Sequence, residues 1–166
     1  MRLKPNTLIV VAGPTASGKT ALAIEIAKAL DGEIVSADSM QIYEGMDIAT
    51  AKPTPEELAE VPHHLIGFLP VEKPFSVADY AAMARDAIND ILHRGKVPVL
   101  CGGTGLYIKA IVDNVQYSEE IPGDEALRER LRLLAEREGN EALWRRLEAT
   151  DPETAKRIHP NNVGRV

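Results

Sequence analysis

The sequence predicts an α/β fold, an open parallel sheet with helices on both faces, and three patterns carry that prediction. Short apolar, β-branched runs alternate with amphipathic helical stretches over the first two thirds of the 166 residues. A glycine-rich loop joins the first such run directly to its helix. After about residue 114 the strand patterns stop and charge-rich helical patterns replace them. The expected organisation is a sheet-containing core over residues 1–114, itself incomplete, followed by the start of a helical insertion over 115–166.

Taken in order, residues 7–12 are a short β-branched apolar run and read as a buried strand. Residues 20–30 place Leu22, Ile24, Ile26 and Ala27 among good helix formers and stop at Asp31-Gly32. A second strand covers 33–37 and runs into Asp38, and a weaker one covers 64–69 between Pro62 and Pro70. The strongest helix signal follows. Ser76 and Asp79 form a capping box, Tyr80, Met83, Ala84, Ala87, Ile88, Ile91 and Leu92 make one apolar stripe, and Gly95 closes it. Residues 97–101 are a strand, 102–105 a Gly-Gly-Thr-Gly turn, and 106–112 a short helix. Residues 117–124, with Pro122-Gly123, read as a linker, and 124–138, 141–148 and 152–158 as amphipathic helices. These last helices form a separate element or cover the sheet. Three clear strands and one weak one are few for a doubly wound sheet, so further residues are expected beyond Val166.

Composition narrows the function. A hydrophobic content of 45% supports one full core plus an appendage. No apolar stretch approaches spanning length, and the first five residues lead straight into a strand without the long apolar core of a signal peptide, so a soluble, cytoplasmic protein without membrane partner is expected. The single cysteine, Cys101, excludes an intrachain disulfide and a multi-cysteine zinc site, and its place at a strand end makes it a small buried hydrophobe. His63 and His64 lack a third ligand and read as loop and strand polar groups. Trp144 shares a helix face with Leu143 and Leu147, which favours core packing over a base-stacking platform. The net charge is −6, yet residues 128–166 carry nine Lys/Arg against seven Asp/Glu. A polyanion would therefore meet the C-terminal third first.

The chemistry sits in the glycine loop. Gly13, Pro14, Thr15, Ala16, Ser17, Gly18, Lys19 and Thr20 fill the phosphate-loop pattern G-x-x-x-x-G-K-[ST] at every required position. Such a loop wraps backbone N–H groups around phosphate oxygens at a helix N-terminus. Lys19 then neutralises the outer phosphates and the Thr20 hydroxyl ligates Mg²⁺. The motif is that of P-loop nucleoside triphosphate hydrolase-like sheets, for which ATP and other nucleotides are the general ligands. Phosphoryl-transferring members end a later strand in an Asp that supports Mg²⁺. Here strand 97–101 ends in glycines, and the carboxylate is instead Asp38, at the end of the second strand. Carboxyl ends of parallel strands face the ligand crevice, so Asp38 is a base for an incoming nucleophile or, more plainly, a turn or helix cap. From the residues alone, a small-metabolite kinase and a regulatory nucleotide-binding module without catalysis stay open.

The ensemble of motifs is more specific. The phosphate loop, Asp38-Ser-Met-Gln-Ile-Tyr43, Gly45-Met-Asp-Ile-Ala-Thr-Ala-Lys-Pro53, Gly102-Gly-Thr-Gly-Leu-Tyr107 and Ile158-His-Pro-Asn161 occur in this order. The chain strongly resembles the bacterial tRNA dimethylallyltransferases, also called tRNA isopentenyltransferases, from Leu8 to its end. That resemblance implies transfer of a dimethylallyl group from dimethylallyl diphosphate to N6 of adenosine 37 in tRNA, with Mg²⁺ as cofactor. It implies Asp38 as general base and Thr104 beside the reaction centre. Asp38, Ser39, Met40, Gln41, Thr104, Arg128 and Arg165 are the implied tRNA contacts, with Gly164 standing where relatives carry a polar or basic residue. His159 is expected to brace the insertion, and the protein to act as a monomer. A related prenyltransferase acting on free adenine nucleotides shares much of this core, and the helical insertion favours tRNA over it.

Overall fold

The computed structural model describes residues 4–48, 50–115 and 124–166, and the chain divides into two compact units, Met1–Glu119 and Glu120–Val166. The first unit holds β1 (Ile9–Ala12), α1 (Lys19–Ala29), β2 (Gly32–Ser36), α2 (Pro55–Glu60), β3 (His63–His64), α3 (Val77–His93), β4 (Val97–Gly102) and α4 (Gly105–Val112). The strands form one parallel sheet in the order β1-β4-β2-β3. Among the described residues, no helix is long and apolar enough to cross a membrane.

Strand order and handedness together put helices on both faces. The connection from β1 to β2 steps over the place later filled by β4, and the connection from β3 back to β4 runs the other way. Right-handed crossovers in opposite directions lie on opposite faces. The side chains obey: Ile34 and Val99 pack with Ala23, Ile24 and Ala27 of α1. Val35 and Leu100, one residue on, pack with Tyr80, Ala84, Ile88 and Ile91 of α3 and Tyr107 of α4. Because both faces are covered, β2 is buried at all five positions, the pattern of a central parallel strand.

Local sequence signals fix the ends of the elements. Ser76 Oγ accepts from Asp79 N at 3.2 Å while Asp79 Oδ2 accepts from Ser76 N at 2.8 Å, so the capping box of α3 is complete. One turn on, the Tyr80 hydroxyl donates to Ser36 O at 3.0 Å and its ring stacks on Tyr107 with centroids 3.9 Å apart. These contacts tie α3 and α4 to the carboxyl end of β2. Cys101 is buried with its thiol directed at Lys19 O (3.7 Å), and burial pushes its pKa up to about 11, as suits a packing residue.

Two details differ from the sequence reading. The strand expected over 64–69 is only His63–His64, because Leu65 and Gly67 take φ of 61° and 59° and turn the chain out of the sheet. Leu69 keeps a single bridge to Tyr43. Helix α2 is absent from the sequence reading, although Thr54 and Glu57 form a capping box with Pro55 at the first helical position. The linker expected over 117–124 lies outside the described residues except for Asp124.

The second unit contains α5 (Glu125–Glu138), α6 (Asn140–Thr150) and α7 (Pro152–Ala155). Asp124 caps α5 through Leu127 N at 2.9 Å, and Gly139 separates α5 from α6. Trp144 donates its indole N–H to Ala155 O (3.2 Å) and Ile158 O (2.8 Å), so it staples α6 to α7 as a packing residue. His159 is exposed and accepts from Asn161 N at 3.2 Å, a local turn bond.

One charge cluster anchors the amino end of the sheet. Glu33 on β2 is buried and receives both guanidinium nitrogens of Arg94, His64 Nε2 at 2.8 Å and Lys96 Nζ at 3.4 Å. The Arg94 hydrogen bonds hold its carboxyl down to about 2, from an ordinary 4.5. A depressed carboxyl pKa stabilises the fold above the unfolded value, and that contribution, about 3 kcal/mol, is lost as pH falls from near 4.5 toward 2. Glu33→Gln is therefore expected to lose about 2–3 kcal/mol at pH 7 and to show a shallower fall in stability between pH 5 and pH 3. Urea unfolding at several pH values measures both, and a variant with the wild-type acid slope contradicts this role for Glu33.

Candidate functional site

The carboxyl ends of β1, β4 and β2 bring three loops together. The chain leaves β1 at Gly13, whose N–H donates to Gly102 O at 3.3 Å. It leaves β2 at Ala37, whose N–H donates to Cys101 O at 2.8 Å and whose carbonyl accepts Thr104 N at 3.0 Å. A side chain at Gly102 would run into the Ala37 backbone, so glycine is what lets the ends of β4 and β2 approach this closely. A Cβ at Gly103 would lie 3.1 Å from Gly13 O and 4.0 Å from both Asp38 Oδ2 and Lys19 Nζ. Gly103 thus marks the point between the phosphate loop and Asp38.

The phosphate loop turns tightly, with left-handed φ of 62° at Ala16 and 80° at Gly18, the kind of curl in which successive N–H groups converge on an anion. Pro14, Thr15, Ala16, Ser17 and Gly18 are exposed, Gly13 and Thr20 half-buried. Lys19 is 8% exposed, and its Nζ donates to Pro14 O at 3.2 Å. Among the described residues it forms no ion pair. A buried ammonium held only by a carbonyl is costly unless an anion comes to it. Lys19 is that kind of cation, placed in a loop whose N–H groups favour the same anion.

Opposite stands the segment after β2. Asp38 Oδ1 accepts from Met40 N at 3.0 Å, a turn of the kind the plainer sequence reading allows, while Oδ2 is the oxygen nearest Gly103. Thr104 is the N-cap residue of α4 but does not cap it. Its hydroxyl instead accepts from Ser39 N at 2.9 Å and donates to Ser39 Oγ at 3.2 Å, binding the Asp38 turn to the β4 loop. Met40 is exposed, whereas Gln41 is buried and its amide is engaged at both ends. Gln41 Nε2 donates to Thr50 O (3.2 Å) and Ala51 O (2.9 Å), and Oε1 accepts from Ser36 Oγ at 3.4 Å. Lys52 reaches back to Tyr43 O at 3.0 Å and Asp47 Oδ1 at 2.7 Å. These two side chains tie residues 50–52 back to residues 41–47. Neither clasp is foreseen from the sequence, where the Thr-Ala-Lys-Pro segment stands out only as part of a motif.

Asp38, Ser39, Thr104 and the phosphate loop are thus gathered at one crevice. Arg128 on α5 and Arg165 near the chain end are exposed and belong to the second unit, and Gly164 has open space around its Cα. Among the described residues no cluster of three or more His, Cys, Asp or Glu side chains could hold a metal. His63 and His64 bond to Val61 O and Glu33, not to each other's partners. For Mg²⁺ the donor set is one hydroxyl, Thr20, beside an anion-binding loop. That set fits an ion which takes few protein ligands, keeps several waters and arrives with phosphate oxygens.

Known proteins of one family resemble this chain over nearly its whole length. Residues 41–166 match the IPP transferase family model. A tRNA dimethylallyltransferase from Exiguobacterium sp. is 55% identical over 164 residues, covering 99% of this chain and 52% of that protein. The crystal structure of a full-length tRNA isopentenylpyrophosphate transferase from Bacillus halodurans superimposes with a TM-score of 0.66 at 45% identity, covering 96% of this chain and 52% of the other. A eukaryotic dimethylallyltransferase acting on tRNA superimposes with a TM-score of 0.80 at 30% identity, over 95% of this chain and 39% of the other. The chain spans about half the length of the curated relatives it matches. On its motifs, its fold and the extent of these matches, the chain belongs to the IPP transferase family.

Proposed function

We propose that this chain forms the phosphate-loop core of an enzyme that transfers a dimethylallyl group from dimethylallyl diphosphate to N6 of adenosine 37 in tRNA. The observation that carries the reading is the pairing across Gly103 of a buried, carboxylate-free Lys19 with the Asp38 carboxylate. The relatives named for prenyl transfer to tRNA support the choice of substrates.

In this reading the loop holds a leaving group. The N6 amine forms a bond to the terminal allylic carbon as that carbon's C–O bond breaks, and the electron pair departs with the diphosphate. Lys19 and the loop N–H groups of residues 16–20 stabilise the negative charge that grows there. Thr20 would hold Mg²⁺ at the loop, and the ion would add charge neutralisation at the departing diphosphate. An adenine amine is weakly nucleophilic because its lone pair is delocalised, so its proton leaves as the bond forms, and Asp38 accepts it. Since carbon is the electrophile, no second carboxylate is required to arrange attack at phosphorus, consistent with the glycines that end β4. The adenine must leave its stack to reach Asp38. Ser39, Met40 and Thr104 are then at hand to meet the nucleotide, with Gln41 shaping the turn from behind. Arg128 and Arg165 are proposed contacts to the tRNA backbone, in the part of the chain with a surplus of positive charge.

Two measurements test the reading. Calorimetry with Mg²⁺ is expected to show inorganic diphosphate binding more tightly than ATP, and Lys19→Ala to weaken diphosphate binding severely. Tight ATP binding with hydrolysis instead means a kinase-like enzyme. Asp38→Asn is expected to keep diphosphate affinity while turnover falls about 10²–10⁴-fold, the usual contribution of a general base. Prenyl transfer at the wild-type rate by this variant removes Asp38 from the mechanism.

A further inference from the structure

A small, partly open cavity of about 10 Å³ within the first unit is lined on its polar side by Thr20, Ser36, Gln41 and His63, with Ile34 and Cys101 among its apolar walls. It has room for one water. His63 Nδ1 lies 2.8 Å from Val61 O, which can only accept, so Nδ1 carries the ring proton and Nε2 presents a lone pair. Burial lowers the His63 pKa and keeps the ring neutral. Among the described residues, His63 Nε2 is the buried side-chain nitrogen without a hydrogen-bond partner.

The donors around it are committed elsewhere. The Ser36 hydroxyl is directed at Gln41 Oε1, the Gln41 amide N–H groups at Thr50 O and Ala51 O, and the Cys101 thiol at Lys19 O. The remaining polar wall is Thr20, the residue of the phosphate loop that offers oxygen to a cation. A hydroxyl that turns a lone pair toward a cation has its proton on another side and needs an acceptor for it. In phosphoryl-transferring relatives a strand-end carboxylate supports the same cation. Here β4 ends in Gly102 and Gly103 and provides none.

We propose that the cavity holds one buried water that accepts from the Thr20 hydroxyl and donates to His63 Nε2, which makes His63 a positioning residue for the cation-binding hydroxyl of the phosphate loop. The water satisfies His63 Nε2 and gives the Thr20 proton an acceptor, and its second proton can go to Gln41 Oε1. Through it β3 is coupled to the first turn of α1. The cation half of this proposal rests on the diphosphate reading above, whereas the water itself does not.

Two sets of measurements on the protein separate these halves. In calorimetric titrations of inorganic diphosphate, His63→Leu is expected to raise the Mg²⁺ concentration needed for half-maximal binding about 10-fold, the common effect of losing a partner of a metal ligand. Binding without Mg²⁺ stays unchanged. His63→Gln, which keeps an acceptor for the water, stays close to wild type, and His63→Leu has no further effect in a Thr20→Val background. Equal Mg²⁺ requirements in wild type and His63→Leu overturn the cation role. If wild type does not bind Mg²⁺-diphosphate at all, the proposed function fails, and ligand-free melting decides the water on its own. With the water present, His63→Leu lowers the melting temperature by about 3–8 °C, less in a Thr20→Val background. With a dry cavity, replacing an unpaired buried nitrogen by an apolar group raises it, and that result overturns the proposal. Should His63→Leu not fold, a high-resolution crystal structure of the wild type decides between the two, an ordered water supporting the proposal and an empty cavity overturning it.

Discussion

The close approach of three backbone segments at the carboxyl ends of β1, β4 and β2 is the constraint on which the site depends. Gly102 lets β4 meet the Ala37 backbone, and Gly103 leaves a gap about one side chain wide between Lys19 and Asp38. Everything that positions these two charges is ordinary fold physics. Parallel register sets the heights of the strand ends, and right-handed crossovers put α1 behind one and α3 behind the other. The Tyr80–Ser36 bond and the Thr104–Ser39 pair then fix the segment that carries Asp38.

The two ends of the sheet treat charge in opposite ways. At the amino end Glu33 is surrounded by Arg94, Lys96 and His64, a cluster whose only evident consequence is stability. At the carboxyl end Lys19 is buried with a single carbonyl for company. A sequence selected for stability alone gains nothing from such an ammonium, because desolvation is not offset. A buried ammonium of this kind is the electrostatic ground for the anion-binding role proposed for the phosphate loop.

Much of this is legible in the sequence because local signals and tertiary demands agree. The capping box at Ser76, the stripe along α3 and the glycine loop before α1 each name their own structure, and the phosphate-loop, Asp38 and Gly102 motifs of the family resemblance meet within the first unit. The short third strand is overextended in the sequence reading because Leu65 takes a left-handed conformation that apolar periodicity cannot reveal. The clasps made by Gln41 and Lys52 are hidden for a different reason. They join residues about ten apart through backbone carbonyls, and carbonyl acceptors leave no trace in residue type. Likewise His63 reads from residue type as an idle neighbour of His64, whereas its ring bonds to Val61 O and lines a small cavity together with Thr20.

In the proposed reaction the phosphate loop serves a carbon electrophile and not a phosphoryl group. This is tested most directly by incubating the protein with Mg²⁺, dimethylallyl diphosphate and unmodified tRNA, then digesting the tRNA and identifying its nucleosides by mass spectrometry. The expected products are N6-dimethylallyladenosine next to the anticodon and released diphosphate. Unmodified adenosine in that tRNA, alongside phosphoryl transfer from ATP to a small acceptor, would contradict the proposed reaction.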